Sequence, residues 1–229
     1  TRRESSFCHM FVLSLVALTS ECRIRTDMSF VQTIRIPNII PTIMPIYTRT
    51  GDGGRTDMAN GTRTAKASAC MEAIGTLDEL NAHLGLALAE CQRQFSANGL
   101  LPLRDEMALV LSAQRFLLGI GAWAAGAREA RHFPAETDVE ALEKAIDRIV
   151  SECGPAFNGF VLPGGTVAAA QIHVARTVCR RAERNLLQAG ASEWQNASYA
   201  MAYMNRLSDF FYALAKKINK LANVEEIKW

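Results

Sequence analysis

From Met71 onward, apolar residues recur at intervals of three and four positions, the spacing that aligns side chains along one face of an α-helix. In the first such stretch a single polar residue, Asn81, interrupts the apolar stripe, as in a bundle helix with one polar position. The stripe consists of Ile74, Leu77, Asn81, Leu84, Leu88 and Cys91.

Four further stretches repeat this spacing and predict four more helices. The second helix starts after Pro102. The third opens at residues 137–140, where Thr137 and Glu140 have the form of a capping box, and it ends at Gly154. The fourth runs from about Thr166 to Gln188. The stripes of the second, third and last helices are Met107, Leu111, Gln114, Leu118 and Gly121; Val139, Leu142, Ile146 and Ile149; and Met204, Leu207, Phe211, Leu214, Ile218 and Leu221.

The order of these elements predicts the fold class. No stretch alternates convincingly as a β-strand would, and no segment is repeated. Five helices of roughly twenty residues with short connections predict an all-α fold, an antiparallel five-helix bundle of the ferritin-like kind. The bundle is expected to occupy residues 46–222 as one domain, followed by a C-terminal tail, residues 223–229.

Residues 1–45 differ in character from the rest of the chain. Two arginines precede the apolar run Met10–Leu18, a weak imitation of a signal peptide that is too short to span a bilayer. Residues 1–43 are either a leader, such as an organellar transit peptide, or an over-extended start. Three prolines at positions 37, 41 and 45 disfavour a continuous helix, so the segment is expected to be extended and poorly ordered.

The amino-acid composition limits the kinds of partner that the protein is expected to bind. Twenty-five Lys and Arg residues against 23 Asp and Glu residues leave a net charge of +2, which argues against a general nucleic-acid binder and against electrostatic attachment to a membrane. Any anion site is therefore local. The six cysteines show no CxxC spacing and predict small core side chains in a reducing compartment. We expect a cytoplasmic protein, or one of the mitochondrial matrix if the first residues are a transit peptide.

The fourth predicted helix has the highest concentration of candidate ligand-binding residues. Arg176, Arg180 and Arg184 recur every four residues and share a stripe with Glu183. Stacked like charges repel, and a guanidinium matches the geometry of phosphate oxygens, so the stripe indicates an anionic ligand. A solvated basic face is the plainer alternative. A stiff apolar turn, Phe160-Val-Leu-Pro-Gly-Gly, stands directly before this helix, and Phe160 is either an exposed functional ring or one more core aromatic.

A glycine-rich segment, residues 46–56, is the second candidate anion site. It contains three glycines, three threonines and two arginines, whose N–H and hydroxyl groups can converge on an anion. It lacks the P-loop spacing, and a flexible turn is the plainer interpretation. Lys66 follows ten residues after Thr56, close enough to fold back onto a phosphate held by this segment.

Two polar residues inside the predicted bundle leave alternatives open. His173 precedes Arg176 by one turn and is expected to be a core or capping histidine rather than a catalytic one. Asn205 stands near the start of the last helix, where it either sets helix register or binds a ligand. The four histidines are too scattered to predict a metal site.

Six ordered motifs resemble those of the PduO-type ATP:cob(I)alamin adenosyltransferases. They are YTRTGDGG, a lysine, EAIGTLDELN, FVLPGG, HVARTVCRRAER and NRLSD, spread over residues 46 to about 222. The resemblance implies a five-helix bundle assembled as a homotrimer, with ATP and the corrinoid at the subunit interfaces. It implies transfer of the 5′-deoxyadenosyl group of ATP to cob(I)alamin, with triphosphate leaving and Mg²⁺ held by the ATP phosphates rather than by protein side chains.

The resemblance also implies roles for individual residues. Asp78 and Arg176 match positions that pair across the subunit interface beside the corrinoid, and Phe160 matches the phenylalanine on the lower face of the corrin. Glu183 would orient arginines. The positions that match ATP-binding residues are Thr48, Arg49, Thr50, Gly51, Thr56, Asp57, Lys66, Arg180, Arg181, Ala182, Glu183, Arg184 and Asn205.

Some positions depart from the family pattern. Gly53 stands where lysine is common, Ala69 and Cys70 replace the usual Pro-Arg, and Ile74 replaces a frequent tyrosine. We expect these changes to affect the affinity for phosphate and the structure of the loop more than the activity itself. The rivals are a non-catalytic nucleotide or corrinoid sensor on the same bundle and a helical protein that binds acidic partners or RNA. Neither needs the retained set of Lys66, Asp78, Phe160, Arg176 and Asn205. The sequence leaves open whether a reductase supplies the corrinoid and which adenosylcobalamin-dependent enzyme receives the product.

Overall fold

A computed structural model describes residues 46–95, 101–127, 129–157, 159–194 and 197–229. These residues form five helices, which confirms the predicted all-α class. The helices are α1 (Ala69–Phe95), α2 (Arg104–Ala124), α3 (Glu136–Cys153), α4 (Val167–Gln188) and α5 (Ala197–Leu221). The expectations for residues 1–45 lie outside the described residues and stay predictions.

The sequence pattern showed no convincing strand, but the structure contains a short hairpin. Two three-residue strands, β1 (Arg55–Asp57) and β2 (Arg63–Ala65), pair antiparallel with Thr56 opposite Thr64. The Asn60 side chain stabilises their turn by accepting hydrogen bonds from the backbone N–H and the hydroxyl of Thr62, at 2.9 and 2.7 Å. A strand of three residues is too short to show alternation, so the hydrophobic pattern could not reveal this hairpin.

The core lies among all five helices, and α5 is the most buried of them. Its Phe210, Phe211, Leu214 and Ile218 are fully buried. α5 packs against α4 and α3, and α1 packs against α4 and α2. Burying a side chain of this size contributes about 1.5–3 kcal/mol to stability, so the apolar stripes account for the association of the helices.

The predicted stripe of α2 was wrong in detail. Leu111 is 47% exposed, and the buried face runs through Val110, Ala113, Leu117 and Ile120 instead. The sequence misleads here because α2 is apolar around most of its circumference. Its mean hydropathy reaches 1.4, and by length and composition it could span a membrane; 44% of that stretch is buried in the bundle, and the core helix of a soluble protein passes the same test.

The start of α3 also differs from the prediction. The helix begins at Glu136, one residue before the expected cap Thr137, and Ala135 occupies the N-cap position. The Asp138 side chain accepts a hydrogen bond from the Ala135 N–H at 2.8 Å. This single contact satisfies a backbone donor at the helix start, which explains why a residue without a capping side chain is tolerated there.

The antiparallel packing defines two ends of the bundle. At one, which we call the hairpin end, β1 and β2 precede α1, and Asn185 near the end of α4 donates to the Thr76 hydroxyl at 2.8 Å. At the other, the turn end, residues 160–165 precede α4 and lie against Asn219 near the end of α5. α4 has 22 residues and rises about 1.5 Å per residue, so it is about 33 Å long.

Candidate functional site

The glycine-rich loop is organised by an arginine that sequence reasoning did not single out. The Arg63 guanidinium donates to the Thr50 carbonyl oxygen and lies 3.2 Å from the Asp57 carboxylate. The hydroxyls of Thr48 and Thr50 are 2.9 Å apart, and Arg49 adopts a positive φ of 62° with its guanidinium 5.6 Å from the Tyr47 ring centre. Arg63 lies on β2, and only the hairpin brings it back to the loop.

Lys66 lies over this loop. Its backbone N–H donates to the Gly54 carbonyl at 2.9 Å, and a Cβ at Gly51 would stand 3.1 Å from the Lys66 Nζ. Glycine at position 51 therefore allows the ammonium group to approach the backbone closely. Thr56 is buried, whereas Thr48, Arg49, Thr50 and Lys66 are exposed. The loop thus presents several donors to solvent at the hairpin end.

The fold divides the arginine stripe between different neighbours. Arg176 is half-buried and Arg180 exposed, and both line a groove between α3, α4 and α5 with a volume of about 490 Å³. Arg181 points to the other side of α4 and pairs with Glu79 of α1. Arg184 is exposed towards the hairpin end. Ala182 is fully buried in the core, so its side chain offers nothing to a ligand in this chain.

A polar network reaches the groove through Glu143 and Arg206, which line it together with Arg180. Asn205 donates to the Glu183 carboxylate at 3.3 Å and accepts from Arg206 at 2.8 Å. Arg206 also donates to Glu143 of α3 at 2.8 Å. Glu183 therefore reaches Arg206 through Asn205 and makes no ion pair with the arginines of its own helix among the described contacts. Sequence reasoning missed the part played by Arg206, although it lies inside the quoted NRLSD motif.

His173 and Arg176 carry buried polar atoms without partners in the described chain. Both ring nitrogens of His173 and the Nε of Arg176 lack a hydrogen bond. His173 is 3% exposed, with its ring 6.3 Å from that of Tyr212, which places it in the core, one of its two predicted positions. Burial lowers the pKa of His173, and the neighbouring Arg176 lowers it further, so the imidazole stays neutral at pH 7.

Asp78 is exposed on α1. Among the ion pairs of the described residues, none involves Asp78 or joins it to Arg176. The predicted pairing of these two residues is between subunits, and a single chain does not test it.

Phe160 is not a core aromatic. Its side chain is 78% exposed, on the turn that leads into α4. The C-terminal tail runs antiparallel to this turn: Leu162 N–H donates to the Ile227 carbonyl at 2.8 Å, and Trp229 N–H donates to the Phe160 carbonyl at 3.0 Å. The Trp229 ring meets the Phe160 ring edge-on, with centres 6.4 Å apart. Sequence reasoning treated residues 223–229 as a plain tail and missed this pairing.

Comparison with known proteins accounts for this combination of fold and residues. The family model for cobalamin adenosyltransferase matches residues 46–218. The chain belongs to the cobalamin adenosyltransferase family. A corrinoid adenosyltransferase of Bacillus subtilis is 37% identical over 187 residues, covering 81% of this chain and 92% of the relative. A cobalamin adenosyltransferase of Cupriavidus metallidurans is 38% identical over 188 residues, covering 80% and 93%.

A solved structure is similar in fold as well as in sequence. A variant PduO-type ATP:corrinoid adenosyltransferase from Lactobacillus reuteri, complexed with cobalamin and ATP, superposes with a TM-score of 0.70 at 29% identity. The match covers 81% of this chain and 96% of that chain. The resemblance inferred from six sequence motifs is therefore confirmed.

The cysteines of this family member behave as small core side chains. Cys91, Cys153 and Cys179 are buried and Cys70 is half-buried, and all four are free thiols. Burial raises the pKa of Cys91 to about 11 and that of Cys179 further still, which makes both thiols unreactive at neutral pH. Among the described residues, no three His, Cys, Asp or Glu side chains come together as a set of metal ligands.

Proposed function

We propose that this protein transfers the 5′-deoxyadenosyl group of ATP to the Co(I) centre of cobalamin, forming adenosylcobalamin and triphosphate. The observation that carries the proposal is the exposed Phe160 ring on a tethered turn, in a chain of the cobalamin adenosyltransferase family. With Leu162 of the same turn and Ile227 and Trp229 of the tail, which are also exposed, Phe160 belongs to an apolar patch, and such a patch marks a contact surface for an apolar or flat partner. The relative from Lactobacillus reuteri, which holds cobalamin and ATP together, supports the same assignment.

The transfer reaction requires stabilisation of the leaving triphosphate anion, and it requires no general base. Cobalt attacks C5′ with its electron pair, the Co–C5′ bond forms, and the C5′–O bond breaks with its electrons on triphosphate. Donors aimed at the leaving oxygens lower the barrier. We assign this task to the loop donors Thr48, Arg49 and Thr50, to Lys66, and to Arg180 and Arg184 of α4. Arg63 shapes the loop through Thr50 and Asp57.

Mg²⁺ fits this arrangement as a partner of the nucleotide. The described residues offer no cluster of carboxylates or imidazoles for it, whereas the loop is rich in cationic donors. A magnesium ion would therefore be bound by the phosphates, where it neutralises charge on the leaving group.

We further propose that the active form is a homotrimer whose sites lie between subunits. The loop and Phe160 lie at opposite ends of α4, which is about 33 Å long, so one chain does not bring both to the same small site. A neighbouring subunit can supply the missing half. The unpaired Nε of Arg176 and the exposed Asp78 are complementary charges without partners in the described chain, as expected for a pair that joins two subunits.

Phe160 would occupy the lower face of the corrin. There it excludes the dimethylbenzimidazole ligand and water, leaves cobalt four-coordinate, and makes the Co(II) form easier to reduce. A reductase would supply the electron, and an adenosylcobalamin-dependent enzyme would take the product. The free thiols of the described cysteines agree with a reducing compartment, the cytoplasm, or the mitochondrial matrix if the first residues are a transit peptide.

One assay tests the proposed function. The full-length protein is mixed with Mg-ATP and chemically reduced cobalamin, and the adenosylcobalamin absorbance is followed while triphosphate is quantified. We expect both products in equal amounts. Binding of ATP and cobalamin without either product would instead assign the protein as a sensor, and the absence of both binding and turnover would overturn the proposal.

A further inference from the structure

The C-terminal tail and the Phe160 turn share a buried polar cluster formed by Lys216, Asn219 and Glu226. The Glu226 carboxylate accepts from the Lys216 Nζ at 2.7 Å and from the Asn219 Nδ2 at 3.2 Å. The side chain of Lys216 is fully buried and that of Glu226 is 12% exposed. A buried ammonium group without an anion is costly, so the Lys216 charge draws Glu226 to a defined place.

Asn219 connects this cluster to one side of the turn. Its Oδ1 accepts from the Thr166 N–H at 3.0 Å, and its Nδ2 donates to the Gly164 carbonyl at 3.1 Å. Gly165 has a φ of +97°, and a Cβ there would lie 2.2 Å from the Asn219 Oδ1. The Asn219 amide therefore lies directly against the turn backbone, in contact that only glycine permits.

Glu226 connects the cluster to the other side of the turn. It directly precedes Ile227, whose carbonyl accepts from Leu162, and it lies three residues before Trp229, whose N–H donates to Phe160. The three residues of the cluster thus restrain both flanks of the segment that carries Phe160. Lys216 also lies 5.3 Å from the ring centre of Tyr212, which lines the groove with Arg176 and Arg180.

The tail contributes little to the core itself. Ile227 is 68% exposed and Trp229 is 90% exposed, so their burial adds almost nothing to the stability of the bundle. A largely buried, hydrogen-bonded Glu226 in an otherwise exposed segment points to a demand for position rather than for stability. An exposed aromatic ring such as Phe160 has few side-chain contacts, so its location depends mainly on how its backbone is held.

We infer that Glu226 and Asn219 are positioning residues for the transfer reaction: with Lys216 they hold the Phe160 ring at the height and angle required on the lower face of the corrin. This role rests on the proposed function, and it makes the tail a part of the corrinoid site. Asn219 contacts the turn backbone directly, and Glu226 acts on it through the tail.

The test compares two neighbouring glutamates in the full-length protein. Glu226→Ala removes the carboxylate of the cluster, and Glu225→Ala removes an exposed carboxylate one residue earlier, which has no ion pair in the described chain. Electron paramagnetic resonance of each protein with cob(II)alamin and ATP measures the four-coordinate fraction. We expect Glu226→Ala to lose this signal to the level of Phe160→Ala, with Kd for ATP unchanged within about twofold, and Glu225→Ala to match the wild type.

Folding of Glu226→Ala is judged by circular dichroism and thermal melting. If this variant does not fold, a second pair of variants tests the positioning role. Trp229→Pro removes the N–H that donates to the Phe160 carbonyl, whereas Trp229→Ala keeps it and removes only the ring. Both changes lie at an exposed residue and leave the bundle intact. The four-coordinate signal is expected to fall further in Trp229→Pro than in Trp229→Ala.

Two results would overturn the positioning role. One is a folded Glu226→Ala protein with the signal of Glu225→Ala; the other, where Glu226→Ala is unfolded, is Trp229→Pro indistinguishable from Trp229→Ala. Both results count only if the wild-type protein forms adenosylcobalamin under the same conditions. A wild type that forms neither product nor the four-coordinate species rejects the proposed function itself, and the positioning role with it.

Discussion

The two ends of the bundle hold their candidate functional groups in different ways. At the hairpin end, the donors of Arg49, Thr50 and Lys66 are exposed and held by hydrogen bonds at the surface. At the turn end, Phe160 is also exposed, yet its backbone pairs with the tail, and Glu226 of the tail is bonded to the buried Lys216. Charged donors can adjust to a phosphate because hydrogen bonds guide them. An apolar ring has no directional bond to its ligand, so the fold must place it.

The largest effect is expected from breaking the proposed contact that joins two subunits between the two ends of the bundle. Asp78→Ala and Arg176→Ala each leave one charge of a partly buried pair unpaired, which costs about 3–5 kcal/mol. Activity should fall by more than a hundredfold in either variant. The charge-swapped protein, Asp78→Arg with Arg176→Asp, should recover part of it. Steady-state assays with sedimentation analysis check both effects, and an active monomer would contradict the shared site.

Phe160→Ala tests the turn end alone. Turnover that depends on reduction of Co(II) in the site should fall about tenfold or more, equivalent to at least 1.4 kcal/mol in activation free energy. The four-coordinate cob(II)alamin signal should disappear, while Kd for ATP and the assembly state stay unchanged.

Thermal unfolding supplies the control for this variant. A core phenylalanine cut to alanine would lower stability by about 3–5 kcal/mol. Because Phe160 is 78% exposed, its loss should leave Tm almost unchanged. A four-coordinate signal equal to that of the wild type would reject the placement of the ring under the corrin.

The proposed triphosphate site is tested by removing single donors, Lys66 at the hairpin end and Arg180 in the groove. Lys66→Ala and Arg180→Ala each delete a charge-assisted contact with triphosphate, worth about 1.5–3 kcal/mol, so kcat/KM for ATP should fall between about tenfold and 150-fold. The four-coordinate signal at saturating ATP should persist, which separates these variants from Phe160→Ala. Wild-type kcat/KM in a trimeric Lys66→Ala protein would show that the triphosphate lies elsewhere.

The smallest effect, and the only gain, is expected at Gly53. The space around it is open, with no atom within 4 Å of a Cβ placed there, so Gly53→Lys restores the common family residue without a clash. An exposed lysine near a phosphate should lower KM for ATP by a few-fold, equivalent to about 0.5–1 kcal/mol. Gly53→Gln, of similar length and uncharged, is the matched control. Equal KM values in the two variants would remove Gly53 from the phosphate site.

The candidate site was predicted unevenly from sequence. The approach of Lys66 to the glycine-rich loop follows from its closeness in the chain, and the structure shows it. The spacing of Arg176, Arg180 and Arg184 correctly predicted that they lie on one helix. It did not predict which helices lie beside them. Arg206 of α5 and Glu143 of α3 also line the groove and are bonded to each other, and no local pattern links them.

The sequence by itself determined the five helices, the order of the motifs and the family, because helical periodicity and short motifs are local properties of the chain. The tertiary structure alone decided what restrains Phe160 and which arginines share the groove. Asn219 and Gly164 are 55 residues apart and meet only when α5 packs against α4. Contacts of this kind follow from the positions of whole helices, and residue spacing along the chain carries no record of them.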